Sequence, residues 1–276
     1  YAAQLGWTAA VSAALIEAKA DINAGNKYGW QAIHYAASYG SPEVLQMLLD
    51  RKANPEATTR ARGPGDTPLI CAARYSRARS LEMLLKAKVD VSRQNRDGNT
   101  ALVHAAFCGA HSCLELLIAH RADLDVTDAD GNSALMQAVL CGKGRAARLL
   151  VASKADLDKV DKERNTALIY AAQQGSFSDN SELITLLVSA GCSINIINTS
   201  GRKAFDYGSV GQTKAAVDRG ISLKKRAKRM LPRIARKLGK ILQDVGLVAP
   251  LDEIVVGYWN TYFHFYMGIE DGQLIG

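Results

Sequence analysis

The sequence predicts an all-α solenoid in which paired antiparallel helices are joined by short turns and hairpin loops. Two observations predict it: a motif that recurs at nearly constant spacing, and a second apolar run at helical spacing after each copy. One pair of short helices cannot bury its apolar face alone, so successive pairs must stack into a continuous core. A helical extension follows the last copy.

The recurring motif starts at a glycine and ends in two small residues. It is Gly-Trp-Gln-Ala-Ile-His-Tyr-Ala-Ala from Gly29 and Gly-Asn-Thr-Ala-Leu-Val-His-Ala-Ala from Gly98. Further copies start at Gly65, Gly131, Arg164 and, in degenerate form, Gly201. The step is 33 residues for each interval between 65 and 164, but 36 from 29 to 65 and 37 from 164 to 201. The longer steps predict polar surface insertions at 58–65 and 173–181.

The second apolar run has the spacing of one helical face. Leu114, Leu117 and Ile118 form one such run, and a turn of sequence Ala-Asp-Leu-Asp follows it at 122–125. Each unit is therefore predicted to be a helix, a turn, a second helix and a loop.

This pattern resembles the ankyrin-repeat family. The shared features are a Thr-Pro-Leu-His-like helix start, an Ala-Ala pair followed by glycine, and a Leu-Leu pair followed by a Gly-Ala-Asp-like turn. The resemblance covers residues 1 to about 220 and implies the fold of that family. The motif histidine is present only at His34, with apolar residues at the same position of the other repeats. We therefore expect somewhat weaker turns between repeats. The apolar replacements are Ile70, Val103, Met136 and Ile169.

The resemblance divides the chain into two parts. Residues 1–220 are predicted to form the solenoid, with a partial first repeat, five fuller repeats and a degenerate capping repeat at 198–220. Tyr1 aligns with Tyr35, so the sequence opens inside a first helix and we expect the true N-terminus to lie outside it. Residues 221–276 fall outside the resemblance and are predicted to form a basic amphipathic helix followed by an aromatic-rich helical tail.

The resemblance also implies a protein-binding site on the concave side, made by the loop tips and the exposed positions of each first helix. Carried over position by position, it predicts partner-binding residues in the first three visible repeats. We call them the early aromatic patch: Tyr28, Trp30, Tyr39, Arg74, Tyr75 and Phe107. Such side chains dominate interface energetics because they bury large rigid areas and keep a polar group. The alternative for Trp30 is packing on neighbouring repeats. The later repeats carry Asn, Gln, Asp and Lys instead.

Residues 222–240 contain nine basic residues and no acidic one. Apolar residues from Leu223 to Val245 recur at spacings of three and four, as on one helical face. Pro232 predicts a kink or two abutting helices. Three roles remain open: a solvated cap on the solenoid end, contact with RNA or an acidic protein, or binding to an anionic membrane surface. The predicted anion-binding residues are Lys224, Lys225, Arg226, Arg229, Arg233, Arg236, Lys237 and Lys240.

The last segment places six aromatic residues between positions 258 and 266. Four of them share one predicted helical face. An exposed helix this aromatic is unfavourable, so we expect it to dock on the last repeats or on another protein. The predicted docking residues are Trp259, Tyr262, Phe263 and Tyr266.

Composition and motifs argue against an enzyme. No phosphate-binding loop, Gly-x-Ser-x-Gly or His-Glu-x-x-His sequence is present, and neither a cofactor nor a small-molecule substrate is predicted. A metal site shared by His104, Cys108 and Cys141 is disfavoured because adjacent repeats stand roughly 10 Å apart. The five cysteines are irregularly spaced, which favours free thiols in a reducing intracellular compartment. The cytoplasm is favoured, and an organelle remains open because the N-terminus is not shown.

These observations predict a non-catalytic scaffold that binds a protein, within a larger complex, through the concave face of its early repeats. The net charge of +7 permits an anionic partner without requiring one. The alternative is a structural subunit of a large ribonucleoprotein or membrane-associated assembly, in which the basic helix contacts RNA or anionic lipid.

Overall fold

The computed structural model describes residues 21–39, 41–59, 65–174, 178–207 and 210–244, with the side chains of 178–180, 210–212 and 231–244 outside that description. Residues 1–20, with which the predicted partial first repeat begins, and the predicted aromatic tail lie outside these residues. The helices, numbered in chain order, are α1 (Ala32–Tyr39), α2 (Pro42–Asp50), α3 (Pro68–Arg74), α4 (Ala78–Lys86), α5 (Ala101–Cys108), α6 (His111–Ala119), α7 (Ala134–Leu140), α8 (Gly144–Ala152), α9 (Ala167–Gln173), α10 (Ser178–Ala190) and α11 (Val210–Asp244).

The odd-numbered helices α3 to α9 begin at the third residue of the motif or directly after it. Thr100, for example, precedes α5, and its hydroxyl oxygen accepts a hydrogen bond from the backbone N–H of Val103 at 3.3 Å. This satisfies one of the free N–H groups at the helix start. The sequence motif therefore fixes where each of these first helices begins. The capping residues are Thr67, Thr100, Ser133 and Thr166.

The apolar faces of the helices meet in one continuous core that extends from Ile33 to Val217. The small residues of the motif, such as Ala105 and Ala106, are fully buried in it, as is Leu117 of the second helices. From α1 to α10, neighbouring first helices contact one another more extensively than neighbouring second helices do. Such packing is expected on the inner, concave side of a curved stack. The all-α solenoid of paired helices is thus confirmed.

The loops between repeats are stacked in the same order as the helices. From the loop at Asp97 onward, consecutive loops are tied by a backbone hydrogen bond, for example from Ala129 N–H to the carbonyl of Asp97 at 2.7 Å and from Lys162 N–H to the carbonyl of Asp130 at 3.0 Å. Gly98 permits this approach, because its φ is +74° and a Cβ there would lie 2.6 Å from the Ala129 nitrogen. The loop tips therefore form a fixed edge beside the first helices.

The last helix differs from the sequence prediction. The first helix of the capping repeat is reduced to the short 3₁₀ turn Ala204–Asp206, and α11 continues without interruption from Val210 to Asp244. The expected boundary at 220 falls inside this helix. Pro232 also lies within it, so the prediction of two abutting helices is wrong. α11 is the second helix of the capping repeat, extended far beyond the length of its counterparts.

Candidate protein-binding surface

Four rings of the early aromatic patch are exposed. Tyr39 ends α1, Tyr75 follows α3 at the equivalent position, and Phe107 lies in the last turn of α5. Their exposed fractions are 49%, 48% and 50%, and that of Tyr28 at the loop tip is 44%. Consecutive repeats therefore place large aromatic side chains on the same side of the stack.

Trp30 has a different environment from the other rings of the patch. It is half-buried and packs against the core. Its ring centroid lies 5.1 Å from that of Tyr35 and 5.8 Å from that of His34, both within its own repeat. Tyr35 in turn stacks on Tyr39 with a centroid distance of 6.3 Å. The aromatic ring partners of Trp30 therefore lie in its own repeat.

Arg74 is held in place by residues of two repeats. Its Nη2 lies 2.7 Å from Oδ2 of Asp66, a carboxylate with only 1% exposure, and 3.2 Å from Nε2 of His104. Asn95 of the next loop donates to the other Asp66 oxygen at 2.7 Å. The Arg74 side chain remains one-third exposed, so this network fixes a guanidinium group that is still partly accessible at the surface.

Burial sets the protonation states in this network. Desolvation, followed by the Arg74 charge, lowers the pKa of His104 to about 4. His104 is therefore neutral near pH 7, and its Nε2 accepts the Arg74 hydrogen bond. Desolvation raises the pKa of Asp66, while the Asn95 hydrogen bond and Arg74 oppose the rise. The arginine is thus the charged group that the network presents outward.

Side chains of one first helix also bond to the helix before it. Cys108 donates to the Arg74 carbonyl at 3.1 Å, and Gln174 donates to the Leu140 carbonyl at 2.5 Å. Cys108 and Gln174 occupy equivalent positions of their repeats. These bonds satisfy carbonyls at the ends of the preceding helices and fix the spacing along the inner surface.

Two exposed aliphatic residues on the later loops were not predicted from the sequence. Val160 and Ile197 are 37% and 45% exposed, and each stands four residues before its copy of the motif. They therefore occupy equivalent positions on adjacent loops. The surface of the later repeats was predicted to be polar, but these two residues make part of it apolar. Their shared offset from the motif is the signal that could have identified them.

The five cysteines are free thiols, as predicted. Burial raises the pKa of Cys71 and Cys192 to about 12 and that of Cys113 to about 11, which keeps these thiols protonated and unreactive. Across the described part of the chain, no three His, Cys, Asp or Glu side chains are grouped so that they could hold a metal ion. Nor does any described helix have the length and apolar character needed to cross a membrane.

The predicted anion-binding residues divide into two groups. Lys224, Lys225, Arg226 and Arg229 are exposed on α11. Arg233, Arg236, Lys237 and Lys240 belong to the same helix, but their side chains lie outside the described residues, as do the predicted docking residues of the tail. Lys224 is distinct because its Nζ lies over the end of α10, 3.0 Å from where a Cβ on Gly191 would stand.

Comparison with known proteins identifies the class to which this fold belongs. A family model described as ankyrin repeats (3 copies) matches residues 57–128 and 111–198, and one described as ankyrin repeats (many copies) matches residues 1–49. The chain therefore belongs to the ankyrin-repeat family, which generally serves as a protein–protein interaction module and is typically non-catalytic.

Solved structures show the same fold. The ankyrin repeat domain of Bcl-3, a unique member of the IkappaB protein family, is 21% identical with a TM-score of 0.67, covering 79% of this chain and 96% of that one. The human ASB11 domain is 23% identical with a TM-score of 0.67 and coverages of 78% and 95%. A domain from Acinetobacter baumannii AYE is 24% identical with a TM-score of 0.59 and coverages of 70% and 94%. A search of curated proteins gave no match.

Proposed function

We propose that this chain is a non-catalytic scaffold that binds a partner protein through the exposed part of the early aromatic patch. The observation that carries the proposal is the succession of half-exposed rings at Tyr39, Tyr75 and Phe107 on three consecutive first helices. Aromatic side chains in such a row offer a large apolar area with a polar rim, which is the composition of energetically dominant interface residues.

Rigidity of the patch supports the same proposal. Tyr39 is held by stacking on Tyr35, and Arg74 is held by Asp66 and His104. Side chains that are already fixed lose little conformational entropy when a partner binds. The exposed rings favour a partner with an apolar contact surface, and the partly exposed Arg74 favours a hydrogen-bond acceptor opposite it.

The test requires the partner, which affinity purification of the tagged chain from its native cells would supply. Binding of the purified partner is then measured by titration calorimetry for native protein and for the variant Tyr39→Ala, Tyr75→Ala, Phe107→Ala. We expect the affinity to fall at least about a hundredfold, because three aromatic hot-spot residues that each cost about 1 kcal/mol or more on truncation together account for that factor. A matched control, Val160→Ala with Ile197→Ala, removes exposed apolar groups from the later loops and should retain affinity within a fewfold.

Circular dichroism must show that the triple variant is folded. Native affinity in the folded triple variant would overturn the proposal. A large loss of affinity in the control variant alone would indicate that the partner binds the later loops instead.

A further inference from the structure

The basic half of α11 extends past the body of the solenoid. α11 runs parallel to α10, since Thr185 meets Ala216, Val188 meets Gly220, and Gly191 meets Lys224. α10 ends at Ala190, so α11 leaves its neighbour near residue 224. The remaining residues to Asp244 extend about 30 Å at the rise of an α-helix.

This projecting half has two faces of opposite character. Lys225, Arg226, Lys228 and Arg229 are exposed, while Leu223, Ala227 and Met230 are half-buried. Among the described side chains, Ile221 is the last apolar one in the helix that packs against the core. Leu223, Ala227 and Met230 are therefore not packed against the solenoid core.

The sequence continues both faces to the end of the helix. Apolar residues recur at Ile234, Leu238 and Ile241, and basic residues continue to Lys240. Between positions 222 and 240 no acidic residue offsets the positive charge. This combination differs from the bases at the ends of the other second helices, which are followed two residues later by Asn or Asp.

We infer that the projecting half of α11 binds an anionic membrane surface, with its apolar stripe inserted at the interface and its bases against lipid headgroups. At such a surface the apolar side chains of an amphipathic helix are removed from water, and its basic side chains are attracted to the anionic headgroups. Both effects lower the free energy of the bound helix. A nucleic acid would engage the bases alone and leave the stripe in water. The sequence after this helix contains Tyr258, Trp259, Tyr262 and Tyr266, and Trp and Tyr are the residue types enriched at membrane interfaces.

The experiment measures co-sedimentation of the full chain with vesicles of phosphatidylcholine and phosphatidylserine in equal parts, and with pure phosphatidylcholine. The native chain should bind the anionic vesicles only, and less well as salt is raised. A charge variant carries Lys225→Gln, Arg226→Gln, Lys228→Gln and Arg229→Gln. It should bind the anionic vesicles several hundredfold more weakly than the native chain, because each base near an anionic surface contributes roughly a factor of five.

A matched control removes four bases from exposed positions of the repeats: Lys52→Asn, Lys88→Asn, Arg121→Asn and Lys154→Asn. These four residues have φ between 59° and 67°, which asparagine tolerates well, so the repeats should remain folded. We expect this control to bind within about fivefold of the native chain.

A third variant separates lipid from nucleic acid. Ile234→Gln, Leu238→Gln and Ile241→Gln keep every base and remove the apolar stripe, so vesicle binding should fall at least about tenfold. Binding of a labelled RNA oligonucleotide is measured in parallel. The inference fails if native protein does not bind anionic vesicles, or if the stripe variant binds them like native protein. It also fails if RNA binds more tightly than the vesicles and is unaffected by the stripe variant.

Discussion

At the scale of single residues, polar side chains nine positions apart connect a loop to the helix or helical turn that follows it in five repeats. An Asn or Asp before the motif accepts hydrogen bonds from two loop N–H groups, as Asn95 does from Asp97 at 3.0 Å and Asn99 at 2.9 Å. The other polar atom of the Asn or Asp side chain, nitrogen or oxygen, contacts a side chain nine residues later. The pairs are Asn26–Tyr35, Asn95–His104, Asp128–Gln137, Asp161–Tyr170 and Asn198–Tyr207.

The motif histidine makes a different connection. His34 is fully buried; its Nδ1 accepts from the Gln31 N–H at 3.1 Å, and its Nε2 donates to the Ala57 carbonyl at 3.0 Å. Desolvation lowers its pKa from 6.5 to about 4, against the opposing effect of the Ala57 hydrogen bond. The folded state therefore requires the neutral ring.

This requirement predicts acid destabilisation. Because the folded pKa lies below the unfolded one, the unfolded chain takes up the proton first as the pH falls. The stabilising contribution of His34 is complete above about pH 6.5 and is lost as the pH falls towards 4. His34 alone should contribute a loss of roughly 2 kcal/mol in the free energy of unfolding between pH 7 and pH 5. His104, whose pKa is also lowered to about 4, should add to this loss over the same range. Urea denaturation at the two pH values measures it.

The variant His34→Gln keeps a donor for Ala57 but does not titrate. Its free energy of unfolding should depend less steeply on pH than that of the native chain, whatever its absolute stability. An unchanged pH dependence would show that His34 is not the group responsible.

At the scale of elements, the contact between α10 and α11 depends on a glycine. Gly220 is buried in the middle of α11, and a Cβ there would lie 2.7 Å from Cβ of Val188 and 3.0 Å from the carbonyl oxygen of Thr185. Glycine is unfavourable in a helix, so its presence is explained by this close approach. Gly220 therefore marks a helix contact, although the sequence analysis used it as the end of the solenoid.

Gly220→Ala should destabilise the protein even though alanine favours helix formation. We expect a loss of about 1–2 kcal/mol, because the cost of overpacking exceeds the gain in helix propensity. Gly144→Ala in α8 is the matched control, since a Cβ there meets nothing within 4 Å and should be neutral or stabilising. Thermal unfolding of both variants tests this. Equal or greater stability of the Gly220 variant would contradict the close packing.

At the scale of the whole molecule, the stack is held together by contacts between neighbouring repeats. A defect in one repeat should therefore act mainly on that repeat and its neighbours. The two proposed surfaces lie at opposite ends of the chain, the early aromatic patch on α1 to α5 and the basic helix after α10. Such an arrangement suits a protein that holds a partner near a membrane, with each surface acting separately.

Leu117→Ala tests the local character of the stack. Leu117 is fully buried in α6, and its truncation should cost about 2–5 kcal/mol. We expect amide hydrogen exchange to increase most in α5 to α8 and least in α10 and α11. A uniform increase along the described helices would show instead that the whole solenoid unfolds as one unit.

Much of the fold was predictable from the sequence because each copy of a repeated motif forms the same local structure. The spacing of the motif located each helix pair, and the Thr or Ser at its third position located the helix starts. The exposure of Tyr39, Tyr75 and Phe107 followed from the same register. By contrast, Trp30 resembled an exposed residue of the motif, and its half-burial depends on Tyr35 and His34 beside it.

The sequence by itself determined the ankyrin-type solenoid, the free cysteines and the charge of α11, because periodicity and composition are local properties of the chain. Only the tertiary structure decided how Asp66, Asn95 and His104 hold Arg74, since that network joins side chains from two repeats. It also decided that α11 packs on α10 through Gly220 and then continues past it. Contacts between separate segments depend on distances that sequence spacing does not specify.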